Sequence, residues 1–418
     1  MSGIVLSASV RQNLLSLQST ADLLSTTQNR LATGNKVNSA LDNPTNFFTA
    51  QGLNNRSSDI NNLLDSIGNG VQVLQAANQG ITSIQKLVDT AKSIANQALQ
   101  ASSGYSTKAS AATAAPTAAN IGTASDLTNA AGTANTLAGA YQFTNSEGLD
   151  VTITLGTATG DVNTLSDLNK ALSDGNVGLT ATFNTDGSLT FTSTNDRASQ
   201  TIATSTAAAT PAAGSNTINI FAAAGVGLTA TDTTSLGGGA GKPVADVASQ
   251  NTRASLISQY NAVIDQIKTT AQDSSFNGIN LLNGDQLKLV FNETGKSTLN
   301  IQGVTFDPAG LGLKSLTAGT DFLDNASTNK VLDSLNNASS TLRSQASTFG
   351  SNLSIVQIRQ DFNKNLINVL QTGASNLTLA DTNEEAANSQ ALSTRQSIAV
   401  SALALANQSN QSVLQLLR

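Results

Sequence analysis

Apolar residues recur with a heptad rhythm at both ends of this chain and lose it in the middle. Val10, Leu14, Leu17, Ala21, Leu24, Gln28 and Leu31 follow one another at alternating spacings of four and three. A period of 3.5 residues is the seam of a coiled coil, narrower than the stripe of a globular surface helix. Gly34 and Asn35 mark a helix stop, and Asn43-Pro44 opens a second helix with proline in its first turn. The second seam runs Leu53, Ile60, Leu64, Ile67, Val71, Leu74, Asn78, Ile81, Gln85, Val88, Ala95 and Leu99. As one helix, residues 44–101 would span roughly 85 Å at 1.5 Å per residue, so the seam needs partner helices. Asn78 and Gln85 weaken that seam but help to fix its register.

The other end mirrors this pattern. Val331, Leu335, Ala338, Leu342 and Phe349 begin a helix that continues through Val356, Phe362, Leu366, Ile367 and Leu370, with Gly373 as a candidate break. After Ala380-Asp381-Thr382, a last helix carries Ala391, Ile398, Ala402, Leu405, Val413 and Leu416. No proline follows Pro308, so nothing forbids helix over this stretch. Inside these ends, Leu256, Tyr260, Val263 and Ile267 predict a helix over 252–272. Leu287, Leu289 and Phe291 alternate, Asn292 to Gly295 turns, and Leu299 and Ile301 alternate back as a hairpin.

Residues 103–248 shift to Ala, Thr, Gly and Ser. Strands are predicted at Val151 to Leu155, Val177 to Phe183 and Leu189 to Thr192, with Asn184-Thr185-Asp186-Gly187 as a hairpin turn and a short helix over 164–173. Residues 106–135 and 203–216 read as Ala/Thr-rich linkers. The fold class is therefore α+β, a long antiparallel helical core from both termini with a small β-hairpin and an inserted β-rich α+β outer domain. The stretches divide at 1–40, 41–102, 103–248, 249–324, 325–378 and 379–418.

Composition removes whole classes of chemistry. The chain has no His, no Cys and no Trp, and its one Met is Met1. Imidazole and thiolate ligands, the commonest general base and the soft nucleophile are all missing, which argues against an enzyme and against a cofactor or metal. The net charge is −6 without a basic cluster, which argues against a nucleic-acid partner. Met1 to Leu6 has no basic leader, and Ile398 to Ala406 is too short to span a bilayer. An uncleaved export route fits this, and the lack of Cys suits an unfolded passage.

Candidate motifs weaken on inspection. Gly237-Gly238-Gly239-Ala240-Gly241-Lys242-Pro243 imitates a phosphate loop, but Leu236 replaces the first glycine and Pro243 the magnesium-binding hydroxyl. Glu384-Glu385 sit on adjacent helical positions, cannot flank one bond, and read as acids complementing a helix dipole. Asp186-Gly187 and Asp273-Ser274-Ser275 lack the remaining ligands of a calcium loop, although a surface calcium site in the insert stays open. Phe47-Phe48 reads as packing at a helix junction.

The seams carry the strongest signal. Helices over 4–33 and 386–418 present apolar edges with no globular domain beside them, and each exposed Leu forgoes roughly 1.5–3 kcal/mol of burial. Either these ends stay disordered in the monomer, or Val10, Leu14, Leu17, Leu24, Leu31, Ile398, Ala402, Leu405, Val413 and Leu416 bury against copies of themselves. Ile60, Leu64, Ile67, Val71, Leu74, Leu342 and Phe349 form the longer core seam, partly within the chain.

Leu31-Ala32-Thr33-Gly34-Asn35-Lys36-Val37-Asn38-Ser39-Ala40-Leu41-Asp42-Asn43-Pro44 resembles the stretch joining the two N-terminal helices of bacterial flagellins. Ala406 to Arg418 is similar to that family's C-terminus, and Phe276-Asn277-Gly278 with Leu281-Leu282 to its signature before the core hairpin. Asn43-Pro44-Thr45-Asn46-Phe47-Phe48 is similar to alphaproteobacterial members. The resemblance covers 1–101, 250–310 and 325–418. It implies a subunit exported unfolded by a type III apparatus, with an export chaperone, a filament cap, hook-junction proteins and other copies as partners. It also implies an extracellular filament for swimming. Two departures stand out. The large insertion falls before the 252–272 helix, not after the hairpin. Lys86 and Thr90 stand where enterobacterial members present Arg and Leu to the animal innate receptor, which implies weak activation. The hook–filament junction protein shares the two-ended pattern and is the alternative. An adhesive or carbohydrate-binding insert is a lesser one, and an inserted zinc protease is excluded by the missing His.

Overall fold

A computed structural model describes residues 8–102, 104–113, 115, 122–128, 137–205, 217–222 and 243–416. Two compact units arise from the order of elements. The first combines Met1–Gln72, Leu287–Ile301 and Ser351–Arg418, and the second combines Val73–Gln286 with Gln302–Gly350.

In the first unit, helix α1 (Ala8–Thr33) is followed by the start of α2 (Pro44–Gln100). The Asn43 carboxamide oxygen accepts from the Asn46 amide at 3.0 Å, and Pro44 takes the position where a missing N–H costs nothing. Strands β10 (Gln286–Val290) and β11 (Thr298–Gln302) pair as the expected hairpin. It lies close on α2, since a Cβ on Gly70 would stand 2.4 Å from a Leu289 methyl. Helix α5 (Asn325–Thr378) runs through Gly373 without a break, contrary to the sequence reading. A Cβ there would meet only Leu53 at 3.5 Å, so the glycine is not a steric need. Helix α6 (Thr382–Leu416) is capped by Asp381, whose Oδ1 accepts from the amides of Asn383 and Glu384 at 2.9 and 3.3 Å. Phe47 and Phe48 stack edge to face, yet Phe48 is exposed and seals nothing.

The second unit holds the rest of α2, helix α4 (Val247–Asp273), the first part of α5, and the insert. Leu74, Ala77, Ile81, Ile84, Val88 and Ala91 of α2 are buried, as are Ile257, Tyr260, Ile264 and Ile267 of α4. Gln85 makes a polar cross-link on this seam, its Nε2 donating to Ser339 Oγ of α5 at 2.7 Å.

The insert folds on its own core. Strands β3 (Gly139–Asn145), β4 (Asp150–Leu155), β7 (Thr201–Ser205) and β8 (Thr217–Ala222) form a sheet in the order β4-β3-β8-β7. Its β7–β8 pair is parallel. Strands β2 (Ser110–Ala112), β5 (Leu179–Phe183) and β6 (Leu189–Ser193) form a second sheet, with helix α3 (Leu165–Asp174) beside β5. Tyr141, Phe143 and Phe191 meet between them at ring separations of 5.7–6.3 Å. The Asn184–Gly187 turn forms as expected, with Gly187 at φ 83°. Two corrections concern the linkers. Residues 106–135 contain β2 and most of β1 (Tyr105–Thr107), and 203–205 belong to β7. The sequence reading also missed β3, β8 and the short β9 (Val244–Ala245). The phosphate-loop-like residues 237–242 lie outside the described residues.

Candidate assembly surfaces

Helices α1 and α6 lie side by side, joined at one end by a short backbone clasp. Asn35 bridges Leu379, the Ala380 amide donates to Gly34 O at 3.0 Å, and the Lys36 amide donates to Thr378 O at 2.7 Å. Gly34, at φ 70°, takes the left-handed position that ends α1. Within the 34–43 connection Asp42 is the organiser. Its Oδ2 accepts from the amides of Asn38 and Ser39 at 2.9 and 2.8 Å and from the Ser39 hydroxyl. Backbone donation from Ser39, then from Asn38, holds its carboxyl below the usual carboxylate range.

The pairing seam differs in detail from the one read in the sequence. Along α1 the buried or half-buried positions are Val10, Asn13, Leu17, Thr20, Ala21, Leu24, Thr27 and Arg30, so Val10, Leu17, Ala21 and Leu24 of the expected seam turn inward. Leu14 and Leu31, expected on the seam, are exposed, as are Leu15 and Leu23. Along α6 the turned-in line is Glu385, Ser389, Leu392, Gln396, Ala399, Leu403 and Ala406. The expected line is one residue away and faces outward, with Ile398 64% and Leu405 70% exposed and Ala402 also exposed. The side chains of Val413 and Leu416 lie outside the described residues. The physical reason is that both helices carry two apolar lines about 100° apart, and pairing two helices covers only one line on each.

A polar contact fixes the register of the pair. Arg30 Nη1 reaches Glu385 Oε1 at 3.3 Å, and the carboxylate side is the more buried of the two. Glu385 thus tethers α6 to α1 as well as complementing its dipole.

The longer seams are consumed inside the chain. Ile60, Ile67, Leu74, Leu342 and Phe349 are buried, while Leu64 and Val71 are half-buried. In the first unit Ile60 packs in one cluster with Ile367 and Leu370. Phe362, expected on the seam, is exposed, and Asn363 takes the inward place with its Nδ2 donating to Phe291 O at 3.0 Å. With Ile355, Ile358 and Val369 it leaves an apolar line on the outside of α5. Lys86 and Thr90 both stand exposed on α2, one turn apart. Among the described residues no group of three or more acidic ligands gathers to hold a metal, and no helix is long and apolar enough to cross a membrane.

The missed positions had a visible signal. Leu14-Leu15 and Leu23-Leu24 are doublets, and a heptad seam takes at most one member of each. Leu15 and Leu23 were therefore legible as residues left for another surface.

This architecture defines a two-ended helical protein, with first and last helices paired, apolar edges left uncovered on both, and a separate β-rich insert. Residues 5–119 match the bacterial flagellin N-terminal helical region and residues 332–417 match the bacterial flagellin C-terminal helical region, so both ends of the chain are similar to flagellins. It is 32% identical to Flagellin FljM of Caulobacter vibrioides over 165 residues, 39% of this chain and 59% of that relative. Against a flagellin of Brucella melitensis it is 25% identical over 181 residues, 41% of this chain and 64% of that protein. Flagellin A of Rhizobium meliloti is 38% identical over 77 residues, 18% of this chain and 20% of that one. The chain thus spans about 59% of the length of the Caulobacter relative.

Proposed function

We propose that the chain is the structural subunit of a bacterial flagellar filament, polymerising through its paired terminal helices and serving swimming motility, with no catalytic role. The observation that carries this reading is the pair of outward apolar lines. Leu14, Leu15 and Leu23 on α1 and Ile398, Val400 and Leu405 on α6 remain exposed although their helices are already paired. Each such side chain gains roughly 1.5–3 kcal/mol on full burial, so copies of the chain stacked on these lines supply a large driving force. The same reading makes other copies of the chain the main partner and the cell exterior its destination. Export unfolded through a type III apparatus, with a chaperone holding the C-terminal helix and cap and hook-junction proteins at the filament's ends, completes the proposal. Deleting residues 405–418 tests it. The expected product is a soluble monomer with a folded middle that forms no filaments from seeds in electron micrographs, and unimpaired filament growth would overturn the reading.

A further inference from the structure

The insert is tied to the helices of the second unit by polar contacts. Its apolar core, from Ala109 to Ile220, contains no residue of α2, α4 or α5. At its root β1 and β9 pair, and Gly104 O accepts from the Asp246 amide and from Gln250 Nε2, each at 2.9 Å. Arg253, buried in α4, donates to Ser102 O at 3.0 Å and Phe322 O at 2.7 Å, which fixes the foot of that stem. Beside the root stands a cavity of about 430 Å³, to which the insert contributes Glu147, Ser199 and Gln200 and the helical side Tyr260, Leu316 and Val331. Two contacts cross it. Ser199 Oγ donates to Asp324 Oδ2 at 2.6 Å, and Glu147 Oε1 accepts from Lys330 Nζ of α5.

Glu147 is built for this position. It sits in the β3–β4 turn, where Asn145 Oδ1 accepts from the amides of Glu147 and Leu149 at 2.9 and 3.0 Å. Its Oε2 takes Arg197 Nη1 at 2.9 Å. Arg197 is itself immobilised, because its aliphatic stem fills the space that a Cβ on Gly178 would need. One oxygen therefore locks the carboxylate to the insert and the other reaches out to α5. Burial pushes the Glu147 pKa up, but hydrogen bonds from Lys330 and Arg197 outweigh it and hold the carboxyl ionised.

We propose that Glu147 is a positioning residue, a two-sided charged latch that sets how the insert stands on α5, and that the insert pivots about its β1–β9 root when the latch is released. A junction made of an apolar interface would not release in salt. One made of a partly exposed ion pair does, because screening weakens it.

The full chain contains no cysteine, so Thr182→Cys in the insert and Ser344→Cys on α5 accept spin labels selectively. Double electron–electron resonance on the dilute monomer at about 0.05 M salt is expected to give one narrow distance distribution. In about 1 M salt, and in Glu147→Gln and Lys330→Gln at low salt, the latched-to-swung ratio is expected to fall about two- to fivefold. Lys330→Arg should restore the narrow distribution. Lys330→Gln leaves the Glu147–Arg197 pair intact, so the insert's own melting should not change, which separates pivoting from unfolding. A distribution unmoved by salt and by both Gln variants would overturn the latch.

Discussion

Single residues decide two joints of this molecule. Arg253 has its charge buried against backbone carbonyls, and burial lowers its pKa even as Asp324 opposes that. Replacing it with Met leaves those carbonyls without donors, and Arg253→Met is expected to cost roughly 2–4 kcal/mol in urea unfolding of the middle of the chain. Asp42 acts at the opposite extreme of exposure. Because its folded pKa is depressed, the order it confers is complete above the ordinary carboxylate range and is lost only as pH falls through the lower folded value. The amides of Asn38 and Ser39 should therefore stay protected well into acid by NMR, and Asp42→Asn should abolish that acid transition.

Elements were legible in proportion to how local their determinants are. The helices announced themselves, because heptads, the Asn43-Pro44 start and the Asp381 cap are all read within one or two turns. β5, β6 and their Asn-Thr-Asp-Gly turn were legible for the same reason. β7 and β8 were not, since Thr201 to Ser205 offers one large apolar residue and its strand is fixed by a parallel partner. β3 shows the alternation Tyr141, Phe143, Asn145, but the Ala and Thr around it masked the pattern. On α6 the sequence shows two apolar lines and no rule for which one pairs, so the paired line lies one residue from the expected one, while on α1 Val10, Leu17, Ala21 and Leu24 turn inward as expected and Leu14 and Leu31 do not. Glycines in the helices give a paired test of the packing. Gly80→Ala would bring a Cβ to 2.6 Å from Leu282 and 2.1 Å from Ser274 Oγ. It is expected to destabilise by about 1–3 kcal/mol. Gly373→Ala meets only ordinary contact and should stabilise by about 0.5–1 kcal/mol, measured by thermal melting.

At the scale of the whole chain, apolar surface is distributed by purpose. The long seams are spent internally, and the terminal pair keeps one line hidden and one open. Hydrogen exchange on the monomer is expected to show α4 and the 73–100 part of α2 strongly protected and α6 beyond Ala399 nearly unprotected, since most of the latter's side chains face water. Purified monomer is also expected to stimulate innate-receptor reporter cells weakly, and restoring activity with Lys86→Arg and Thr90→Leu would check the role of that exposed pair on α2.

The meeting of Tyr105 with Ala245 at the insert's root has a consequence for how such chains diversify. The backbone of the helical scaffold enters and leaves the insert at two neighbouring points, whatever hangs from them. Closing a flexible loop costs only about 0.6 kcal/mol more for each doubling of its length. A guest domain can therefore grow, shrink or be exchanged between lineages at little expense to the backbone of the scaffold.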